Sequence, residues 1–199
     1  MEIRKHQLKH RTKHTTDGST VLKVVEGSLP SNNNKEVFTM KTRYYLAYGS
    51  NLNLRQMKFR CPGAKPVGTT TLEGYKLLFR GPHEGAVATV EPKVGSSVPV
   101  LIWETTPKDE LALDHYEGYP FLYRKENIKV TLNGEEIEAY IYIMNDGRPI
   151  NTPGCYYYTT ILEGYEACDF DTTFLKESAR KCFHGSATRE ERANDRKGT

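Results

Sequence analysis

The sequence has no apolar run long enough to cross a membrane, and its N-terminus lacks the apolar core of a secretory signal peptide. Cysteine is scarce: Cys61, Cys155, Cys168 and Cys182 show neither a paired metal-binding spacing nor a dense disulfide pattern. We interpret each as a small hydrophobic side chain rather than as a metal ligand or a disulfide partner. These absences favour a cytoplasmic protein in a reducing environment.

Several catalytic signatures are also missing. The chain has no Gly-x-Ser-x-Gly nucleophile elbow, no Walker phosphate loop, no Gly-x-Gly-x-x-Gly motif and no His-Glu-x-x-His motif. The net charge is only +3, from 28 basic and 25 acidic residues, and much of the basic excess lies near the ends of the chain. A clustered basic face is therefore not expected, which disfavours nucleic-acid binding. We expect no metal or redox cofactor, no nucleic acid and no membrane partner.

The length of 199 residues and the hydrophobic content of 37% fit one domain with a substantial core. Residues 1–41 are polar and basic, and we expect them to form a disordered extension. The helical spacing of His6, His10 and His14 could in principle bind a metal, but no apolar face supports a helix there. The folded domain is expected over residues 42–183, followed by a charged, flexible tail over 184–199.

Short strand signals dominate the first half of the predicted domain. An aromatic strand ends near Ala47, and a short helix is expected over residues 54–60 with Asn53 as its N-cap. Four strand segments then follow at short spacing, separated by turn residues: 67–72, 75–80, 86–90 and 98–103. Connections this short favour antiparallel pairing.

The second half carries the clearest helix signal, which begins with Thr106 as N-cap and ends at Gly118. The pair Asn133-Gly134 predicts a hairpin between two alternating strands, and two amphipathic helices follow it. The sequence therefore predicts an α+β fold, in which a few helices flank a small mixed, mainly antiparallel, barrel-like sheet.

The junction Gly49-Ser50-Asn51 separates the first strand from the first helix. A tight turn there would direct backbone N–H groups at one small volume, and such unpaired amides attract a carboxylate or a phosphate. Ordinary turn chemistry is the simpler interpretation of the pattern alone.

Glu117 is the acidic residue that we single out, because a carboxylate at the C-terminal end of a helix is disfavoured as an anion. Aromatic neighbours would raise its pKa further if they bury it, and a pKa nearer neutrality suits proton transfer. The alternative is that Glu117 is simply exposed at a helix end. Tyr123, six residues later, is our candidate for a polar tyrosine in the same pocket.

Two motifs, in this order and at this separation, resemble those of the gamma-glutamylcyclotransferase-like family. They are Tyr48-Gly49-Ser50-Asn51-Leu52 after the first strand and Leu113-Asp114-His115-Tyr116-Glu117-Gly118 at the helix end. The resemblance runs from Tyr45 to about Ala179 and includes Tyr123-Arg124, Tyr140-Ile141-Tyr142 and Gly164-Tyr165.

The resemblance implies that Glu117 is the single essential glutamate and that a loop holds the glutamyl part of the substrate. The loop residues are Tyr48, Gly49, Ser50, Asn51 and Leu52. Tyr123 would hydrogen-bond the substrate or the glutamate. The implied reaction is an acyltransferase- or lyase-type intramolecular cyclisation without a cofactor. The α-amine of a γ-glutamyl group attacks its own γ-carbonyl, which releases 5-oxoproline and an amine or amino acid.

Two other functions stay open from the sequence. The same fold could be a non-catalytic module that binds small carboxylates or glutamyl peptides, or the basic first 40 residues could carry a protein interaction. Gly49-Ser50-Asn51 is more similar to the branch of the family that acts on γ-glutamyl amino acids than to the branch that acts on γ-glutamylamines. The identity of the leaving amine and the choice between monomer and homodimer stay open as well.

Overall fold

The computed structural model describes residues 41–180, and five β-strands form its central sheet. They are β1 (Arg43–Ala47), β2 (Lys65–Arg80), β3 (Val87–Thr105), β4 (Tyr123–Leu132) and β5 (Glu135–Met144). Their order across the sheet is β2-β3-β1-β5-β4. The short aromatic strand β1 therefore lies at the centre, where both faces of the sheet are covered and its residues Leu46 and Ala47 are fully buried.

The sheet is mixed but mainly antiparallel, as predicted. Only β1 and β5 pair in parallel, whereas β1 with β3, β2 with β3 and β4 with β5 pair antiparallel. The two edge strands lie close to each other, as shown by a hydrogen bond of 2.7 Å that the Thr70 hydroxyl of β2 donates to the Thr131 carbonyl of β4. The sheet thus curves into a barrel-like shape without closing through backbone pairing, which confirms the predicted α+β class.

The prediction of four short strands between residues 67 and 103 was wrong. The structure has two long antiparallel strands there, β2 and β3, joined by a loop over residues 81–86. Gly74 and Gly95 have φ angles of +79° and +74°, and the register shifts between Glu73 and Tyr75. These glycines produce an irregularity inside the paired strands instead of ending them, since a bulge and a turn both favour glycine at positive φ.

The hairpin between β4 and β5 matches the sequence prediction. Its two loop residues, Asn133 and Gly134, have φ angles of +52° and +88°, as a two-residue hairpin turn requires.

A 3-10 turn and three helices carry or support the loop after β1. The turn covers Ser50–Leu52, and the helices are α1 (Leu54–Arg60), α2 (Pro107–Glu117) and α3 (Cys155–Ala167). Residues 172–180 are also helical. The predicted caps are confirmed: the Asn53 side chain accepts a hydrogen bond from the Gln56 amide, and Thr106 forms a capping box with Asp109.

Helix α2 is held against the sheet by charged and aromatic side chains. Lys125 of β4 forms ion pairs of 2.7 Å with Glu110 and 2.9 Å with Asp114. The Tyr142 hydroxyl of β5 donates a hydrogen bond of 2.6 Å to Asp114. Gly118, with φ of +63°, ends the helix in the left-handed conformation that favours glycine. These contacts fix the position of the last helical residue, Glu117.

Helix α3 packs closely against the 3-10 turn at Gly164. A Cβ atom at this position would lie 2.5 Å from Leu52 Cβ and 2.8 Å from the Leu52 carbonyl carbon. The Asn53 side chain joins the same two segments, because its Nδ2 donates to Thr160 O at 3.2 Å and to Glu163 Oε2 at 2.7 Å. The position of the turn therefore depends on α3.

The predicted extension over residues 1–41, apart from Lys41, and the predicted tail over 184–199 lie outside the described residues, so the domain limits at 42 and 183 stay predictions. No helix found within residues 41–180 combines the length and the apolar character that a membrane span needs.

Replacing Gly164 with alanine tests whether the close packing of α3 against the 3-10 turn is essential. Helix propensity alone would make the variant more stable by ~1 kcal/mol. We expect the opposite, a loss of about 1–3 kcal/mol in the free energy of unfolding, because the new methyl group collides with the backbone of the turn. Urea denaturation measures this, with Glu166→Ala on the exposed side of α3 as the control. A stabilised Gly164→Ala variant would contradict the proposed packing.

Candidate functional site

A cavity of about 220 Å³ lies between the loop after β1, the end of α2 and the first turn of α3. Its wall is formed by Tyr48, Gly49, Ser50, Asn51, Val87, Ala88, Tyr116, Glu117, Leu122, Tyr123 and Tyr157. The lining is mainly apolar and aromatic and contains a single carboxylate, that of Glu117. Such a lining suits a small ligand whose polar groups are recognised at a few defined points.

The loop after β1 is rigidly attached to its surroundings. The indole Nε1 of Trp103 donates a hydrogen bond of 3.1 Å to the Asn51 carbonyl, and the Leu52 amide donates one of 3.0 Å to the Gly49 carbonyl. Ser50 and Asn51 are buried. The backbone at Gly49 is close to the opposite wall, because a Cβ atom there would lie 3.2 Å from Ala88 Cβ. A side chain at this position would fill part of the cavity.

The Asn51 side chain connects the loop to the carboxylate. Its Nδ2 donates hydrogen bonds to Glu117 Oε1 at 2.7 Å and to the Tyr45 hydroxyl at 2.8 Å. Its Oδ1 accepts a hydrogen bond from Arg60 Nη1. A guanidinium can only donate, so Arg60 determines which end of the amide faces it. The amide NH2 group is thereby directed at Glu117.

Arg60 is itself held in place by two further contacts. Its Nη2 donates to Gln56 Oε1 at 2.8 Å, one helical turn earlier in α1. Its guanidinium carbon lies 3.4 Å from the centre of the Tyr116 ring, in a cation–π contact. The Tyr116 hydroxyl in turn lies 3.2 Å from Ser50 Oγ. The arginine therefore closes a network between α1, the loop and the end of α2.

Burial raises the pKa of Glu117 from its ordinary value of 4.5 to about 7, and the Asn51 hydrogen bond and the Arg60 charge limit the rise. Glu117 Oε1 is occupied by Asn51, whereas Oε2 accepts no hydrogen bond from residues 41–180. The group is thus a carboxyl that changes protonation state near neutral pH and has one oxygen that no donor from residues 41–180 occupies. These are the properties of a general acid–base catalyst.

The tyrosines of the cavity mostly hydrogen-bond to the protein backbone. Tyr48 donates to the Tyr142 carbonyl at 2.5 Å, and Tyr123 donates to the Ala88 carbonyl at 2.6 Å. Tyr157 accepts from the Ala88 amide at 3.1 Å. Burial raises the pKa of each of these three phenols, so they are neutral at physiological pH. All three form part of the cavity wall.

The structure brings together most of the residues that the sequence singled out. Glu117 lines the same cavity as Tyr48, Gly49, Ser50, Asn51 and Tyr123. Leu52 does not: it is fully buried and packs against Gly164. The Tyr123 hydroxyl donates to Ala88 rather than to Glu117, so only its lone pairs are left for a ligand.

Sequence reasoning missed Arg60, Tyr116 and Tyr157. The spacing of Gln56 and Arg60 indicates a helical pair, but nothing in it shows that the pair folds back onto Asn51. Tyr157 lies in a segment rich in tyrosine, and nothing in that segment indicates which of its tyrosines reaches the cavity. Tyr116 directly precedes Glu117 in the second motif, but the sequence does not indicate its contact with Arg60.

No group of three or more His, Cys, Asp or Glu side chains with a geometry suited to a metal ion occurs within the described part of the chain.

The family model for gamma-glutamyl cyclotransferase, AIG2-like proteins matches residues 45–160, and the chain belongs to this family. The matched range contains the cavity loop, Arg60, Glu117 and Tyr123.

Individual relatives agree with this assignment. The gamma-glutamylcyclotransferase of Homo sapiens is 30% identical over 111 residues, which covers 51% of this chain and 59% of the human protein. The Mus musculus gamma-glutamylcyclotransferase is 31% identical over 115 residues, or 53% of this chain and 61% of the mouse protein. The chain thus spans about three-fifths of the length of these relatives.

A solved structure of a gamma-glutamyl cyclotransferase has the same fold, with a TM-score of 0.61 and 25% identity, over 69% of this chain and 86% of that chain.

Removing the Arg60 charge tests its control of the carboxylate. Arg60→Leu should raise the pKa of Glu117 above about 7, since both the cation and the fixed orientation of Asn51 lower it. Carboxyl-carbon NMR titration of the full chain measures this change. Lys58→Leu, an exposed cation on the same helix, is the control. An unchanged Glu117 titration in Arg60→Leu would show that the arginine does not act on the carboxylate.

The raised pKa of Glu117 also predicts that the free energy of unfolding depends on pH. The unfolded chain loses this proton near pH 4.5 and the folded chain near pH 7, so the free energy of unfolding falls as pH rises between these values. Glu117→Gln cannot ionise. Because each unit of pKa difference corresponds to ~1.4 kcal/mol, this variant should be about 3–3.5 kcal/mol more stable than the wild type at pH 8. The advantage should disappear below pH 4.5.

Urea denaturation at several pH values measures this difference. A stability difference that does not vary with pH would show that Glu117 ionises at its ordinary pKa.

Proposed function

We propose that the chain is a γ-glutamyl cyclotransferase, which converts the γ-glutamyl group of γ-glutamyl amino acids or γ-glutamylamines to 5-oxoproline and releases the amine. The observation that carries this proposal is the Glu117 carboxyl in a small cavity, with its pKa raised to about 7 and one oxygen accepting from Asn51. Membership of the gamma-glutamyl cyclotransferase, AIG2-like family supports it.

The loop after β1 would hold the substrate's α-carboxylate. The amides of Gly49, Ser50 and Asn51 form no hydrogen bond with another described residue, and all three residues line the cavity. Free backbone N–H groups at the start of a helical turn bind anions well. Tyr48 would form the wall against which the glutamyl methylene groups pack.

The chemistry needs one bond to form and one to break. The substrate's α-amine attacks the γ-carbonyl carbon and forms the lactam C–N bond, and the original amide C–N bond breaks. Glu117 in its ionised form takes one proton from the α-ammonium, which frees the amine to attack, and later donates this proton to the leaving nitrogen. The attacking nitrogen loses its second proton when the lactam bond forms, and the released amine takes up that proton and leaves as an ammonium ion. A carboxyl with a pKa near neutrality can perform both transfers.

Nucleophile and electrophile belong to the same molecule, so orientation supplies much of the rate enhancement. A folded substrate held in a near-attack geometry can gain ~7–11 kcal/mol. The cavity therefore needs to hold the substrate folded and to supply one proton carrier, and the single carboxylate of its lining, Glu117, supports this proposal.

Replacing Glu117 with glutamine should abolish turnover and leave binding intact. We expect kcat to fall about 10²- to 10⁴-fold, since proton transfer is lost while the amide still accepts from Asn51. Release of 5-oxoproline from γ-glutamyl dipeptides measures the rate, and Glu166→Gln is the exposed control. Full activity in Glu117→Gln would refute the assignment.

The pH dependence of the wild-type rate tests the same carboxyl. The value of kcat/KM should fall tenfold per pH unit below about pH 7, because the protonated carboxyl cannot take a proton from the α-ammonium.

A further inference from the structure

A second and larger depression adjoins the catalytic cavity, and we call it the side groove. It has a volume of about 850 Å³ and lies between α1 and the first half of α3. The lining residues used below are Arg55, Phe59, Arg60, Tyr116, Tyr156 and Glu163.

Tyr116 lines both the cavity and the side groove. Among the large apolar side chains that line the cavity it is the most exposed, at 45%, so it marks the mouth. The Tyr116 hydroxyl lies 3.2 Å from Ser50 Oγ, and the Arg60 guanidinium lies over the Tyr116 ring. Glu117, the last residue of α2, directly follows Tyr116 in the chain. Tyr116 therefore lies where the cavity and the side groove meet.

The cavity is small for a γ-glutamyl dipeptide with a large side chain. Its volume of about 220 Å³ is below the ~300–1,000 Å³ typical of clefts that enclose drug-sized ligands. With the glutamyl group beside Glu117, a large side chain on the leaving amino acid would need space beyond the cavity. The side groove offers such space, and it shares Tyr116, the residue before Glu117, with the cavity.

Two features of the side groove define the chemistry of its occupant. Phe59 and Tyr156 are 92% and 82% exposed, and two such aromatic side chains on one depression form an apolar surface that a ligand can cover. Arg55 makes no ion pair or hydrogen bond with another residue of the described range, whereas Arg60 is occupied by Asn51 and Gln56. Glu163 is likewise engaged by Asn53 at 2.7 Å. Arg55 is thus the available cation.

We propose that the side groove binds the leaving amino acid of the substrate and favours one with an aromatic or large apolar side chain and a free α-carboxylate. Phe59 and Tyr156 contact the side chain, and Arg55 pairs with the carboxylate. This assignment rests on the proposed cyclotransferase function, and it makes γ-glutamyl amino acids better ligands than γ-glutamylamines.

Equilibrium binding to the full chain carrying Glu117→Gln tests the groove without turnover. The ligands are γ-glutamyl-phenylalanine, its C-terminal carboxamide and γ-glutamyl-alanine. We expect Arg55→Gln to raise the Kd for γ-glutamyl-phenylalanine about three- to fivefold, as an exposed ion pair allows, and to leave the Kd for the carboxamide unchanged. Phe59→Ser should raise the Kd for the phenylalanine ligand about five- to tenfold and that for the alanine ligand much less.

Two control variants match these changes. Lys58→Gln removes an exposed cation of α1 that does not line the groove, and Val94→Ser removes an exposed apolar side chain from β3. Equal effects of Arg55→Gln on the acid and the carboxamide, or no effect of either groove variant, would overturn the proposal. Turnover by the wild type is measured separately, so a chain that binds selectively but releases no 5-oxoproline would refute the cyclotransferase function and leave the groove assignment standing.

Discussion

The hydrogen bond between Asn51 Nδ2 and Glu117 Oε1 is the interaction on which the candidate site depends. It joins two residues 66 positions apart, one in the loop after the central strand and one at the last position of α2. Each end is fixed independently: Trp103 holds the Asn51 backbone, and Lys125 and Tyr142 hold α2. The two elements meet at 2.7 Å because the sheet places β1 between the strands that support them.

The chemistry of Glu117 follows from a balance of opposing effects. Removal from water favours the neutral acid, whereas the Asn51 amide and the Arg60 guanidinium favour the anion. Full burial without these partners would hold the group protonated, and full exposure would leave it ionised. The intermediate pKa of about 7 requires both burial and a directed donor, so α1, which carries Arg60, contributes to the site without lining the cavity.

The same network separates two volumes of different character. On one side, the loop after β1 and the tyrosines enclose a small space suited to a glutamyl group. On the other, Arg55, Phe59 and Tyr156 form an open groove with aromatic surface and an available positive charge. Tyr116 lies between them, held by Ser50 and Arg60. A single arginine thus orients the donor to the carboxylate and supports the boundary between the two proposed binding regions.

The sequence by itself determined the local structure: the Asn53 and Thr106 caps, the Asn133-Gly134 hairpin and the end of α2 at Gly118 depend on neighbouring residues only. It also indicated the two motifs that the structure brings into one cavity. The tertiary structure alone decided the continuous course of β2 and β3, the position of Leu52 in the core, and the contact of Arg60 with Asn51. These features depend on which segments meet in space. A glycine is equally compatible with a bulge and with a turn, and the sequence around a loop leucine or a helical arginine does not indicate which distant residue it contacts.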